Sequence, residues 1–377
     1  MSEINRRKFL LILGALFGGL GIHRSKFLNK QKDFPPFSNN GKKLIIIHLV
    51  GGNDGLFTLM PKNNEIINAN RKGLIKKLNK GIHWNNNLIL NEKLKDFFDL
   101  AQRGWLSIIP NVGHQNPTFS HFLSTDIWAT GVIPKDKVIK TGWVGRLIDE
   151  NKHTIKNFDE LLSFENDSLI FRGKKDKGII WSENSFFRKK VKHIVDQELF
   201  NLNNYEFLQN ELKKTYKINQ LLESVEPSIG YPKTKLGNDL ATVSSIIGDS
   251  KPFKVFHLNH IGYDTHQWQT HQLNELYDDL GKCVKTFVHD LNNMGELNNT
   301  QILIYSEFGR SIGENSNGGT DHGSAGPVFV LGGRKIYNEL GNLKPNYNIS
   351  NHYGFPVLQH QVDFRDIFTT VQNNWLT

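Results

Sequence analysis

The run Lys43-Leu-Ile-Ile-Ile-His-Leu-Val50 constrains this chain more than any other segment. It is mostly apolar and rich in β-branched residues, without the polar alternation of a half-exposed strand. It therefore predicts a strand buried on both faces, as in parallel sheets. The run stops at Gly51-Gly52-Asn53-Asp54-Gly55, where the glycines allow a sharp turn. Shorter runs of the same kind follow at 106–109, 253–258, 301–305 and 327–331.

Helical patterns lie between these runs. The clearest spans 267–291, where Leu273, Leu276, Leu280, Val284, Phe287, Val288 and Leu291 recur mostly at steps of three and four and make one apolar face. Further helices are predicted at 198–222, 236–247 and 364–375. Strands alternating with helices predict an α/β fold with a largely parallel central sheet flanked by helices. The Asn/Lys-rich middle, about 150–230, reads as a helical insertion or cap within one domain over 41–377.

The first 40 residues read differently. Asn5-Arg6-Arg7-Lys8-Phe9-Leu10 and the apolar stretch after it form a charged region followed by a short hydrophobic one, the pattern of an export signal. The paired arginines make it similar to a twin-arginine signal. The segment is expected to direct export to the periplasm or cell envelope, or to stay on as a membrane tether.

Composition narrows the function classes. The formal charge is +9, but the lysines are scattered through Asn/Lys-rich stretches, with no zinc-finger spacing and no aromatic-basic RNA motif. That argues against nucleic acid as a partner. The single cysteine, Cys283, rules out an intrachain disulfide and falls among apolar helical neighbours, where a buried structural thiol is expected.

In open α/β sheets, sites form beyond the carboxyl ends of strands. Asp54 follows the first strand, Asp264 and His266 follow the run at 253–258, and Glu307 follows 301–305. Asp321 and His322 precede the run at 327–331, and Ser120 and His121 lie in the loop beyond 106–109. So many carboxylates and imidazoles at one sheet edge would repel one another unless a cation joined them. A mixed Asp/Glu/His donor set suits zinc or manganese better than calcium, and one or two divalent ions are expected.

Taken in order, Gly51-Gly52-Asn53-Asp54-Gly55, Ser120-His121-Phe122, Asp264-Thr265-His266, Ser306-Glu307-Phe308-Gly309-Arg310 and Gly319-Thr320-Asp321-His322-Gly323 resemble the exported bacterial family called domain of unknown function 1501. That family belongs to the alkaline phosphatase/sulfatase superfamily. The resemblance implies a metal-dependent hydrolase of small anionic phosphate or sulfate esters. It also implies Asp54, Asp264, His266, Glu307 and His322 as metal ligands. Ser120 resembles the nucleophile, with Thr118 behind it. Where the superfamily has Asp-His, this chain has Glu307-Phe308, so one metal site is short of a nitrogen ligand: either Asp321 compensates or the site is empty, and another alignment takes Asp321-His322 as the Asp-His pair. Arg310 is expected to neutralise the transferred group, and His121 to orient the nucleophile or protonate the leaving group. The departure at Phe308 keeps open an inactive metal-binding scaffold that recognises a protein partner.

Overall fold

The computed structural model describes residues 41–78, 81–134, 138–150, 153–165, 168–181, 226–332, 344–352 and 354–376. The twin-arginine segment and the helix predicted at 198–222 lie outside the described residues.

Eight strands form the main sheet: β1 (Lys43–Val50), β2 (Leu106–Gly113), β3 (Leu161–Ser163), β4 (Ile179–Ile180), β5 (Val255–Ile261), β6 (Thr300–Tyr305), β7 (Gly326–Leu331) and β8 (Val362–Asp363). Their order is β8-β2-β7-β6-β1-β5-β3-β4. β1 sits near the centre, parallel to β5 and β6 on either side. Only β7 runs against its neighbours, pairing antiparallel with β2 and β6.

The continuous apolar runs are explained by two cores, one on each face. Side chains alternate across a strand, so Ile45, Ile47 and Leu49 of β1 enter one core while Leu44 and Ile46 enter the other. Ile302 and Ile304 of β6 join the first, Leu303 and Tyr305 the second. The first core is covered by the helices Gln269–Asn293, Lys235–Gly248 and Lys95–Gln102. The second is covered by the helices His121–Thr130, Trp143–Glu150 and Phe364–Asn374. Cys283 is buried in the first core, and burial pushes its thiol up, away from the reactive thiolate.

One predicted boundary needs correction. The stretch expected to be a helical insertion from about 150 supplies β3 and β4 of the main sheet, with Leu161 pairing with Val255 and Leu162 with Ile179. Strands of three and two residues are too short to show periodicity, and their polar flanks hid them. Between β6 and β7, Arg310–Glu314 and Thr320–His322 pair as an antiparallel hairpin.

This topology gathers the predicted segments. β1, β2, β5 and β6 all end on the same edge of the sheet. Because β7 runs the other way, the hairpin that precedes it returns to that edge too.

Candidate metal centre

His121 is the first residue of the helix His121–Thr130, which Ser120 caps through its side chain. Asp264 and His266 lie in the loop after β5, and His322 ends the second strand of the hairpin. The Nε2 atoms of His121 and His322 stand 3.0 Å apart, and those of His266 and His322 stand 2.9 Å apart. Oδ1 of Asp264 lies 3.4 Å from His121, 3.1 Å from His266 and 3.3 Å from His322, each measured to Nε2. His322 and Asp264 thus share two three-atom faces, one closed by His121 and the other by His266. Among the described residues, His121, Asp264 and His322 form the group able to hold a metal ion.

The protonation of the rings follows from their far sides. Nδ1 of His322 faces the carbonyl oxygen of Phe119 at 2.7 Å, and a carbonyl can only accept, so this nitrogen donates. Nδ1 of His121 faces Oε1 of Glu307 at 2.8 Å, and Nδ1 of His266 faces Oδ1 of Asp321 at 3.1 Å. With a proton on each Nδ1, the neutral imidazoles present three Nε2 lone pairs to one another and to a carboxylate oxygen. Arg310 donates to Oδ1 of Asp264 at 2.6 Å and stands 3.5 Å from Nε2 of His266, so in this form the Nε2 lone pairs of His121 and His322 are the ones left facing acceptors, which is unfavourable. A cation between them removes the conflict, and outward oxygens that fix the tautomer are the usual support of metal-binding histidines. Three imidazole nitrogens and a carboxylate oxygen fit zinc or manganese.

The surroundings tune these groups. Burial would raise the pKa of Asp264, but the hydrogen bond and charge of Arg310 outweigh it and hold the carboxyl below its usual range. The bond to Glu307 raises the pKa of His121 above the ordinary imidazole value. Burial lowers that of His322. Phe308 packs against the rings of both His121 and His322, with centroids 4.8 and 4.9 Å away, and forms an apolar wall.

Close approach at this edge depends on two glycines. Gly51 has φ +123°, and a Cβ there would lie 2.3 Å from the backbone nitrogen of Asp264. Gly52 has φ +82°, and a Cβ there would lie 2.4 Å from the Phe308 ring. Neither conformation nor space admits a side chain.

Five expected roles change once the partners are visible. Asp54 does not join the cluster. Its Oδ1 accepts from the backbone N–H groups of Leu56 and Phe57, and its Oδ2 accepts from Arg71 and Gln269, both at 2.6 Å. Glu307 stands one layer behind His121. Its Oε1 also accepts from the N–H of Gly51, and its Oε2 takes His48 at 3.0 Å and the Ser306 hydroxyl at 3.1 Å. Burial pushes the Glu307 carboxyl up, yet the bonds from His121 and His48 prevail and keep it ionised. Asp321 braces His266 from outside. Arg310 is buried, and its donors reach the carbonyls of Gly51, Gly52, Tyr263 and Thr320 and the carboxylate of Asp264. It therefore fixes loops and does not reach out to a substrate anion.

His121, expected to handle protons, stands among the metal-facing nitrogens. Ser120 lies beside it, exposed, and Thr118 accepts the Ser120 N–H at 3.2 Å. Sequence reasoning overlooked His48, buried in β1 and stacked on Tyr305 at 5.2 Å. A histidine inside an apolar strand run was the available signal.

Fold and cluster together define an α/β protein with a histidine-aspartate group, able to hold a metal ion, at the carboxyl edge of its sheet. The chain belongs to the family described as "Protein of unknown function (DUF1501)", which matches residues 114–373. No curated protein matches it. Among solved structures it is similar to the C-terminal periplasmic domain of EcEptC from Escherichia coli in complex with Zn, at 8% identity and a TM-score of 0.41, covering 83% of this chain and 80% of that one. It is also similar to the alkaline phosphatase of the Antarctic bacterium TAB5, at 9% identity and a TM-score of 0.35, covering 77% and 91% respectively. A third is the PsFucS1 sulfatase from Pseudoalteromonas sp., at 13% identity and a TM-score of 0.33, covering 88% and 67%. No helix of the described residues is long and apolar enough to cross a membrane.

Proposed function

We propose that the protein is an exported hydrolase of small phosphate or sulfate esters that works with a divalent cation, zinc or manganese. His121, Asp264 and His322 would hold the ion, with His266 on the neighbouring face of the same Asp264–His322 pair. The observation that carries this reading is the convergence of three Nε2 atoms on the Asp264 carboxylate, each ring held by an oxygen behind its Nδ1. A bound cation supplies Lewis-acid stabilisation of an anionic ester oxygen and eases deprotonation of a nearby hydroxyl.

Ser120 supplies that hydroxyl. It is exposed at the N-terminus of a ten-residue helix, where developing negative charge is favoured. Its oxygen accepts only a long bond, 3.4 Å, from the Leu123 N–H, which leaves it nucleophilic. Attack forms an ester bond from Ser120 Oγ to phosphorus or sulfur and breaks the bond to the leaving alcohol, which takes a proton from solvent. Water then cleaves the Ser120 ester and restores the hydroxyl. Glu307 holds His121, the next residue, in register through this sequence, and Phe308 excludes water on one side.

The test is turnover of p-nitrophenyl phosphate, bis-p-nitrophenyl phosphate and p-nitrophenyl sulfate by full-length protein of measured metal content. Hydrolysis of one of them that disappears on chelation is expected. Bound metal with no turnover of any would sink the catalytic reading. It would leave the second one, a metal-binding scaffold for a protein partner, which is favoured by the engagement of Arg310 with main-chain carbonyls and Asp264. Export through Arg6-Arg7, with the segment cleaved or kept as a tether, belongs to the same proposal.

A further inference from the structure

We infer that the centre takes one cation, because protein groups already neutralise the two strand-end carboxylates that a second ion would need. The inference rests on the metal-binding reading above and deepens it. An ionised carboxylate offers about four lone-pair sites. Asp54, at the end of β1, has all of them engaged by Leu56, Phe57, Arg71 and Gln269. The carboxylate is fully enclosed, and so is the guanidinium, whose remaining donors reach the carbonyls of Ser311 and Ile312. Arg71 thus provides the positive charge and the directed contacts that a metal would otherwise bring to Asp54.

Glu307, at the end of β6, is saturated in the same manner by Gly51, His121, His48 and Ser306. For either carboxylate to ligate, it would have to leave buried donors without acceptors, which is unfavourable. For Asp54 the stranded partner would be a buried charge, which costs more. Asp264 is different. Its Oδ1 takes Arg310 but also faces the three histidine nitrogens, and its side chain is about half exposed. Of Asp54, Asp264 and Glu307, only Asp264 therefore stays open to an ion, at the histidine group, while the other two are closed inside the protein and Asp321 is turned to the far nitrogen of His266.

The experiment is a titration of chelator-stripped full-length protein with Zn²⁺, and separately with Mn²⁺, read as bound ions per chain by native mass spectrometry. One ion per chain is expected for the wild type and for Asp54→Asn, and none for His322→Ala at the same concentrations. Two tightly held ions per wild-type chain would overturn the single-cation inference while leaving metal dependence standing. Loss of an ion in Asp54→Asn that still melts cooperatively would overturn it as well. No ion on the wild type would overturn both this inference and the proposed function. The wild-type count decides the matter even if the variants fold poorly.

Discussion

Nδ1 of His322 donates to the main-chain carbonyl of Phe119 across 2.7 Å, which ties the hairpin before β7 to the loop that carries Ser120. The candidate ligand and the candidate nucleophile are thereby held by one hydrogen bond. Positioning of this kind is what lets a reactive group sit close to a stabilising charge without further reorganisation.

Ser120→Ala separates chemistry from metal binding. Ester turnover should fall by about a thousandfold or more, since loss of a nucleophile is among the costliest single changes. Metal content should stay as in the wild type, because no metal-facing atom is removed. Activity retained at the wild-type level would dismiss Ser120 and direct attention to Thr118.

Asp321→Ala tests the layer behind His266. Removing the oxygen that faces Nδ1 frees the ring to turn or change tautomer, and metal affinity should weaken by about 10–100-fold. His322→Ala, which removes a direct donor, should cost more. Competition against a chelator of known affinity reads both, and equal effects would count against the layered arrangement.

Arg310→Met removes the donors that gather Gly51, Gly52, Tyr263, Thr320 and Asp264. Each buried carbonyl left without its donor costs about 1–3 kcal/mol. Urea unfolding should show a loss of that order, even in metal-free protein. A loss under about 1 kcal/mol would mean that the carbonyls find other partners.

His257 gives the fold a pH dependence of its own. Burial, then the nearby charges of His48 and Lys235, lower its pKa from 6.5 to about 3. Above pH 6.5 folded and unfolded chains both hold it neutral, and it adds no slope. Between about 6.5 and 3 the unfolded chain binds a proton that the folded chain refuses, so stability declines as pH falls. The slope from this residue approaches about 1.4 kcal/mol per pH unit. Thermal melts of His257→Gln from pH 7 down to about 4.5 should show a shallower decline than wild type; parallel curves would refute the assignment.

Much of the fold was readable because buried parallel strands leave an unmistakable trace. The run at 43–50 coincides with β1, and the helix predicted at 267–291 is observed at Gln269–Asn293. The α/β class and the family follow from these segments and their motifs. What escaped notice was short or polar. β3 and β4 have too few residues to show a period, and the hairpin carrying Arg310 and His322 reads as a glycine- and asparagine-rich loop. The candidate site was legible as a set of residues and not as a set of roles. Asp54, Glu307 and Asp321 carry the right chemistry at the right edge. Their use depends on Arg71, Gln269, His48 and His266, which are distant in sequence or nondescript within it. No spacing rule reports which donor a carboxylate will meet.

The web of carbonyls around Arg310 has a further meaning for how an ion would arrive. Gly51, Gly52, Tyr263 and Thr320 are anchored by a guanidinium that belongs to the polypeptide, so the mouth keeps its outline with or without a guest. An incoming metal would meet donors already aimed, with the entropy of ordering them met when the chain folds. Exchange of one ion for another would then be a local event at the rim, not a refolding of the domain.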